Sequence, residues 1–277
     1  MATTIQIAAP PHTRSPLALW HLLSLDAPTV AALWTWFIAR ASHVRLPAAA
    51  PAAMALAVWI VYAADRILDA SRNTDLEARH HFHHRHRRAF LAGITLAAIV
   101  LASLLTHLDP AAIGIYLLEG AFLVAWFLIV HTTRGAHRLP KEIAVGIFFS
   151  AAVFIPSVAR EPALRPALLP SAILFASLCS LNCLFIYSWE HRPSGLQPHA
   201  TTRLALAHLP AFAVAITTTA ATLILLTHAK PISAACSLAA VLLLLLHRNR
   251  HRITRTHLRA AADLALLTPI LLLPFLR

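Results

Sequence analysis

Long apolar runs separated by short basic loops set the pattern of the chain. The runs extend over 17–38, 48–70, 88–106, 111–131, 142–159, 167–189, 204–227, 231–246 and 258–276. Most approach or exceed the roughly 20 residues that a helix needs to cross a hydrocarbon core of about 30 Å. The pattern predicts an all-α integral membrane bundle of about nine transmembrane helices. The eighth run is short enough to be half re-entrant. In the first run Asp26-Ala-Pro28 puts an acid beside a helix breaker, an arrangement that opens backbone groups toward a cavity.

Composition agrees with the pattern. The chain is 58% hydrophobic and 12% charged, with a mean hydropathy of +0.68, whereas soluble domains are about 25% charged. Its formal net charge of +12 would point to nucleic acid in a soluble protein. Here the basic residues lie in the loops, and their sidedness reads as membrane orientation. One side holds Arg14, then Arg72, Arg79, Arg85, Arg87 and Arg88, then Arg134, Arg138 and Lys141, then Arg192 and Arg203, then Arg248, Arg250, Arg252, Arg255 and Arg259. The other side holds only Arg40, Arg45, Arg160, Arg165, Lys230 and Arg277. The alternation fits an odd number of spans, with the N-terminus in the cytoplasm, the C-terminus outside and a bacterial-type cytoplasmic membrane around them. No cleavable signal peptide is expected in Met1 to Ser15, and Cys179, Cys183 and Cys236 read as small packed residues.

The second run ends in Val58-Trp-Ile-Val-Tyr-Ala-Ala-Asp65-Arg-Ile-Leu-Asp69-Ala-Ser-Arg72. Asp65 and Asp69 are one helical turn apart on one face. Two carboxylates side by side repel unless a cation lies between them, and Mg²⁺ with one or two carboxylates, waters and substrate phosphates is the usual arrangement. Arg66 or Arg72 could instead neutralise the pair, although Arg66 points about 100° away round the helix. The sixth run ends in Asn182, Ile186 and Glu190 at the same spacing as Val61, Asp65 and Asp69. A weak internal repeat follows, with possible halves over 17–131 and 142–246 and a last helix over 258–276, all in one domain. A site is expected where the half-ends face each other.

The Asp65-Arg-Ile-Leu-Asp69 motif at the end of the second of nine spans resembles the first aspartate motif of the UbiA superfamily of intramembrane prenyltransferases. Glu190 stands where that family has its second. The resemblance implies a helical barrel in which the two acidic motifs bind Mg²⁺ and the diphosphate of an isoprenoid donor, with Asp65, Asp69 and Glu190 as catalytic metal ligands. The chain departs from the family pattern at Val61, where the family has Asn, and at Ile186, where it has a second carboxylate. The expected partners are a prenyl diphosphate, a hydrophobic or aromatic acceptor and membrane lipids, with no nucleic acid.

Asn182 and Tyr187 are candidate polar contacts to substrate, and Arg72, Arg134, Arg138 and Lys141 are candidate phosphate contacts, since guanidinium suits bidentate phosphate binding. The histidines around His80, His83, His84 and His86 read as a solvated loop rather than a metal site. Asp263 is expected to pair with Arg259 one turn back, and Glu142 to sit favourably at a helix N-terminus. Two other functions compete: a non-catalytic member that binds isoprenoid lipids, motivated by the thinned second motif, and a repeat-built transporter using Asp26 or Glu119 as coupling groups.

Overall fold

The computed structural model describes residues 16–72, 82–83, 85–132, 139–190, 199–226 and 230–276, except the side chains of Asp69, Ala70, Ser71, Arg72, His131 and Thr256. The described residues are helical, without strands. In chain order the helices are α1 (Pro16–Leu22), α2 (Asp26–Ala41), α3 (Ala49–Arg72), α4 (Arg87–Leu105), α5 (Pro110–Thr132) and α6 (Lys141–Arg160). They continue as α7 (Arg165–Glu190), α8 (Ala200–Ala207), α9 (Leu209–Leu226), α10 (Lys230–Arg248), α11 (Arg255–Ala265) and α12 (Pro269–Leu272). Among the described residues, eight segments are long and apolar enough to cross a membrane, or nine when the bent pair α1–α2 is counted as one span. The chain is a multi-pass membrane protein. Its eighth span, α10, is a full helix of 19 residues rather than a half-crossing.

Burial is inverted relative to a soluble protein. Leu117, Leu225 and Leu226 expose 69%, 83% and 76% of their surface, and patches of this kind on α4, α5 and α9 are where lipid replaces water as the neighbour. The packed centre is α7. It lies against α6, α9, α10 and α11, while α2 bridges α3 and α6. Trp34, Phe37, Phe175, Phe185, Leu178 and Leu181 are fully buried there, and Trp34 packs at a tilt on Phe175 with ring centroids 4.2 Å apart. Helices α6 and α7 approach so closely at Gly146 that a methyl group there would lie 2.6 Å from the Ala176 carbonyl. Small residues permit such approach in membranes, where dispersion rather than water exclusion drives association.

The first span is broken, with an 88° turn between α1 and α2. The break falls at Leu23–Leu25, just before Asp26 and Pro28, with Ser24 in the left-handed region at φ 58°. A broken helix frees carbonyls that hydrocarbon cannot satisfy. Helix α3 supplies the donors: Arg66 Nη1 donates to the His21 carbonyl at 2.8 Å, and Trp59 Nε1 donates to the Leu23 carbonyl at 3.0 Å. The last span is broken too, between α11 and α12, and Trp34 Nε1 donates to the Leu266 carbonyl at 2.8 Å. Thr268 closes the same break through its hydroxyl to the Ala235 carbonyl at 2.9 Å.

The histidine run differs from the solvated loop expected of it. His83 is fully buried. Its Nε2 lies 3.1 Å from the Ser24 hydroxyl, and its ring packs on Phe90 at 4.3 Å. A ring with two polar atoms is tolerated inside because the break at Ser24 offers it a hydrogen-bonding partner. His80 and His84 lie outside the described residues.

Candidate functional site

The two broken spans meet at a buried polar junction. Asp26 opens α2 and His21 closes α1, so the break points both into the interior. His21 Nδ1 lies 2.5 Å from Asp26 Oδ2, and the Ala27 amide donates to Asp26 Oδ1 at 3.0 Å. Arg66 Nη2 reaches the same Asp26 oxygen at 3.5 Å. From the other broken span, Asp263 comes close enough that one ligand atom each from His21, Asp26 and Asp263 fall within 4.8 Å of one another. Asn182 Nδ2 on α7 donates to Asp263 Oδ1 at 3.0 Å, and Asn182 Oδ1 is buried with no hydrogen-bond partner. Burying charge in hydrocarbon is tolerated where opposite charge and hydrogen bonds offset the desolvation. Arg66 supplies the positive charge that a cation would otherwise bring.

This junction corrects one expectation. Asp263 does not pair with Arg259. Arg259 Nη1 instead donates to both Glu190 oxygens, each at 2.7 Å. The two residues lie one turn apart on α11, yet the helix face that carries Asp263 looks into the bundle while Arg259 reaches the end of α7. Glu142 also gains a partner, accepting from the Thr202 hydroxyl at 3.0 Å across α6 and α8. Trp189 Nε1 donates to His247 Nδ1 at 3.0 Å.

Helix register relates the acidic ends. Tyr62 on α3 lies within Coulombic range of Cys183 on α7, and of Asp26, Asp263 and Arg66. Tyr62 directly follows Val61, and Cys183 directly follows Asn182, so the two positions matched in the sequence lie near one another in the bundle. Asp69 is two turns beyond Tyr62, and Glu190 is two turns beyond Cys183. The two helices are the second and sixth spans and run in the same sense, which puts both of these helix ends on one side of the bundle.

The predicted site residues fall as follows. Asp65 is half-buried near the end of α3. Asp69 and Arg72 occupy the last turns of α3, with side chains outside the described residues, as are Arg134 and Arg138 altogether. Lys141 is exposed at the start of α6, and Tyr187 is half-buried within Coulombic range of Glu142. Asn182 is buried at the central junction rather than at the acidic end. Ile186, the position where the resembled family carries a carboxylate, is a core residue. Sequence reasoning missed the role of His21 and the partner of Arg66. The signal was present in Arg66, a guanidinium inside an apolar span that requires a buried acceptor.

Asp65 and Asp69, at i and i+4, are hard oxygen donors of the kind that Mg²⁺ takes. Glu190 fits less well, because the Arg259 guanidinium occupies both of its oxygens. Comparison with protein-family models, with curated proteins and with solved structures finds no match to this chain.

Proposed function

We propose that the chain is an intramembrane prenyltransferase of UbiA type, binding a prenyl diphosphate and Mg²⁺ at the Arg-rich end of the bundle, which faces the cytoplasm of a bacterial-type membrane. The observation that supports the reading is that α3 and α7 both end in acids at the Arg-rich end, Asp65 and Asp69 on α3 and Glu190, held by Arg259, on α7. When bound, Mg²⁺ would be held by Asp65 and Asp69 and would neutralise the departing diphosphate. The orientation rests on the excess of Lys and Arg on that side.

The remaining chemistry belongs to the chain. Arg259 carries a guanidinium at the same end, oriented by Glu190, where it would bind phosphate oxygens and offset charge as the leaving group departs. Lys141 on α6 adds a second cation at the same end. Apolar helix walls keep water from the allylic carbon until an aromatic or lipid acceptor attacks it. The acceptor's carbon forms the new bond, the carbon–oxygen bond to diphosphate breaks, and the acceptor loses a proton.

A second reading, a non-catalytic isoprenoid-lipid binder, is favoured by one observation: Glu190 is committed to Arg259 and Ile186 to the core, leaving one acidic motif where turnover in the family uses two. Both readings are tested with geranylgeranyl diphosphate and the purified chain. Asp65→Asn is expected to remove Mg²⁺-dependent diphosphate binding while the protein still inserts. Undiminished binding in that variant sinks both readings, and binding without product in the wild type selects the second.

A further inference from the structure

We infer that the cleft between α6, α7, α8 and the start of α9 is a binding site for one acyl chain of an anionic phospholipid from the leaflet at the Arg-rich end. The cleft has a volume of about 700 Å³ and is floored by Ser150, Ala176 and Ser180 and walled by Ile147, Ala205 and Phe212. It opens sideways onto the lipid-facing surface, where Ile147, Ile173 and Leu204 are 55%, 59% and 65% exposed. An occupant therefore enters from the bilayer.

Three observations identify its chemistry. First, the polar atoms of the floor make no demand on a ligand. Ser150 donates to the Ala172 carbonyl at 2.8 Å, Ser177 to Ile173 at 2.9 Å and Ser180 to Ala176 at 2.9 Å. With hydroxyls satisfied by backbone, the surface left to an occupant is apolar. Second, the cleft runs along α7 from Ile173 to Leu184, roughly 16 Å at 1.5 Å per residue. That is about half of a hydrocarbon core of about 30 Å, so the cleft serves one leaflet. Third, two cations, Lys141 and Arg203, stand at the end of the cleft where Glu142 accepts from Thr202. Both are exposed, and His208 lines the cleft where α8 meets α9. Cations at the headgroup level attract anionic lipid.

The geometry also explains why the cleft persists. Gly146 lets α6 and α7 close beneath it, and the Glu142–Thr202 hydrogen bond spans α6 and α8 at its basic end. The short α8 forms one wall, through Thr201, Leu204 and Ala205, ahead of the membrane-crossing α9. The site stands apart from the acidic end of α3 and does not depend on prenyl transfer.

The test uses the full chain reconstituted in vesicles of phosphatidylglycerol and phosphatidylcholine, then released for native mass spectrometry. One phosphatidylglycerol is expected to remain on the wild type and on Leu117→Phe, which alters an exposed surface of α5, and to be lost from Ala176→Phe and Ala205→Phe. A phosphatidylglycerol carrying a photoactivatable group in its acyl chain should label the wild type within 172–184 or 201–212, a measurement that needs no variant to fold. Retention unchanged in both cleft variants, equal retention of phosphatidylcholine, a prenyl phosphate as the retained molecule, or labelling confined to other segments would each overturn the inference.

Discussion

Arg259 holds Glu190 with a single guanidinium nitrogen 2.7 Å from each carboxylate oxygen, and both side chains are mostly shielded, with 20% and 16% of their surface exposed. The pair ties the end of α7 to the start of the last span. Arg259→Met should therefore leave a shielded carboxylate and lower stability by about 1–3 kcal/mol. The double variant Glu190→Gln/Arg259→Met should recover part of that loss, since no uncompensated charge remains. Unfolding in mild detergent measures both, and strict additivity of the single changes would contradict the coupling.

Asp26 and Arg66 lie deeper, 1% and 5% exposed. Asp26→Asn keeps the shape of the side chain but removes the carboxylate that Arg66 and His21 both engage. A loss of about 3 kcal/mol or more is expected, the scale for breaking one side of a buried pair. Asp26→Asn/Arg66→Met should lose less than the single change. Thermal unfolding of the four proteins of the cycle decides it.

Gly146 admits no side chain. A methyl group would meet the Ser180 hydroxyl at 2.1 Å, which can move, but also the Ala176 carbonyl at 2.6 Å and the Ser180 amide at 2.8 Å, which belong to the α7 backbone. Gly146→Ala is expected to cost about 1–3 kcal/mol through overpacking. Adding Ser180→Ala should not rescue it, because the backbone clash stays. Full rescue would show that only the hydroxyl matters.

Ser24 combines a left-handed backbone with a buried hydroxyl bonded to His83. Ser24→Gly loses the hydrogen bond and gains conformational ease, two effects of about 1 kcal/mol with opposite sign. Ser24→Ala loses the bond and keeps the strain. Glycine should accordingly be better tolerated than alanine at this position, in an unfolding assay that ranks the two variants; the reverse order would contradict the role of φ.

Much of the architecture was legible in the amino-acid sequence because hydrocarbon thickness imposes a length on every crossing. Nine apolar runs predicted nine crossings, and the structure has eight such segments plus one bent pair. Asp26 beside Pro28 predicted backbone opened toward a cavity; the helix does break at Leu23–Leu25, but Asp26 is buried against His21 and Arg66. These features depend on residues near one another in the chain. The boundary at 204 was less legible, since the short α8 ends at Ala207 and α9 begins at Leu209 with no loop of several residues between them.

What only the tertiary structure decided is which charges meet. From sequence, Asp263 had a cation one turn away in Arg259, and Asp65 had Arg66 as its neighbour. The fold instead gives Arg259 to Glu190, brings Arg66 to Asp26 and the His21 carbonyl, and sets Asp263 against Asn182. A charge inside a membrane has no water to fall back on, so its partner is whichever acceptor the packing delivers, and helix rotation about its axis settles that. Nothing local fixes such a rotation; the close approach at Gly146, the aromatic contact of Trp34 with Phe175 and the two capped breaks do.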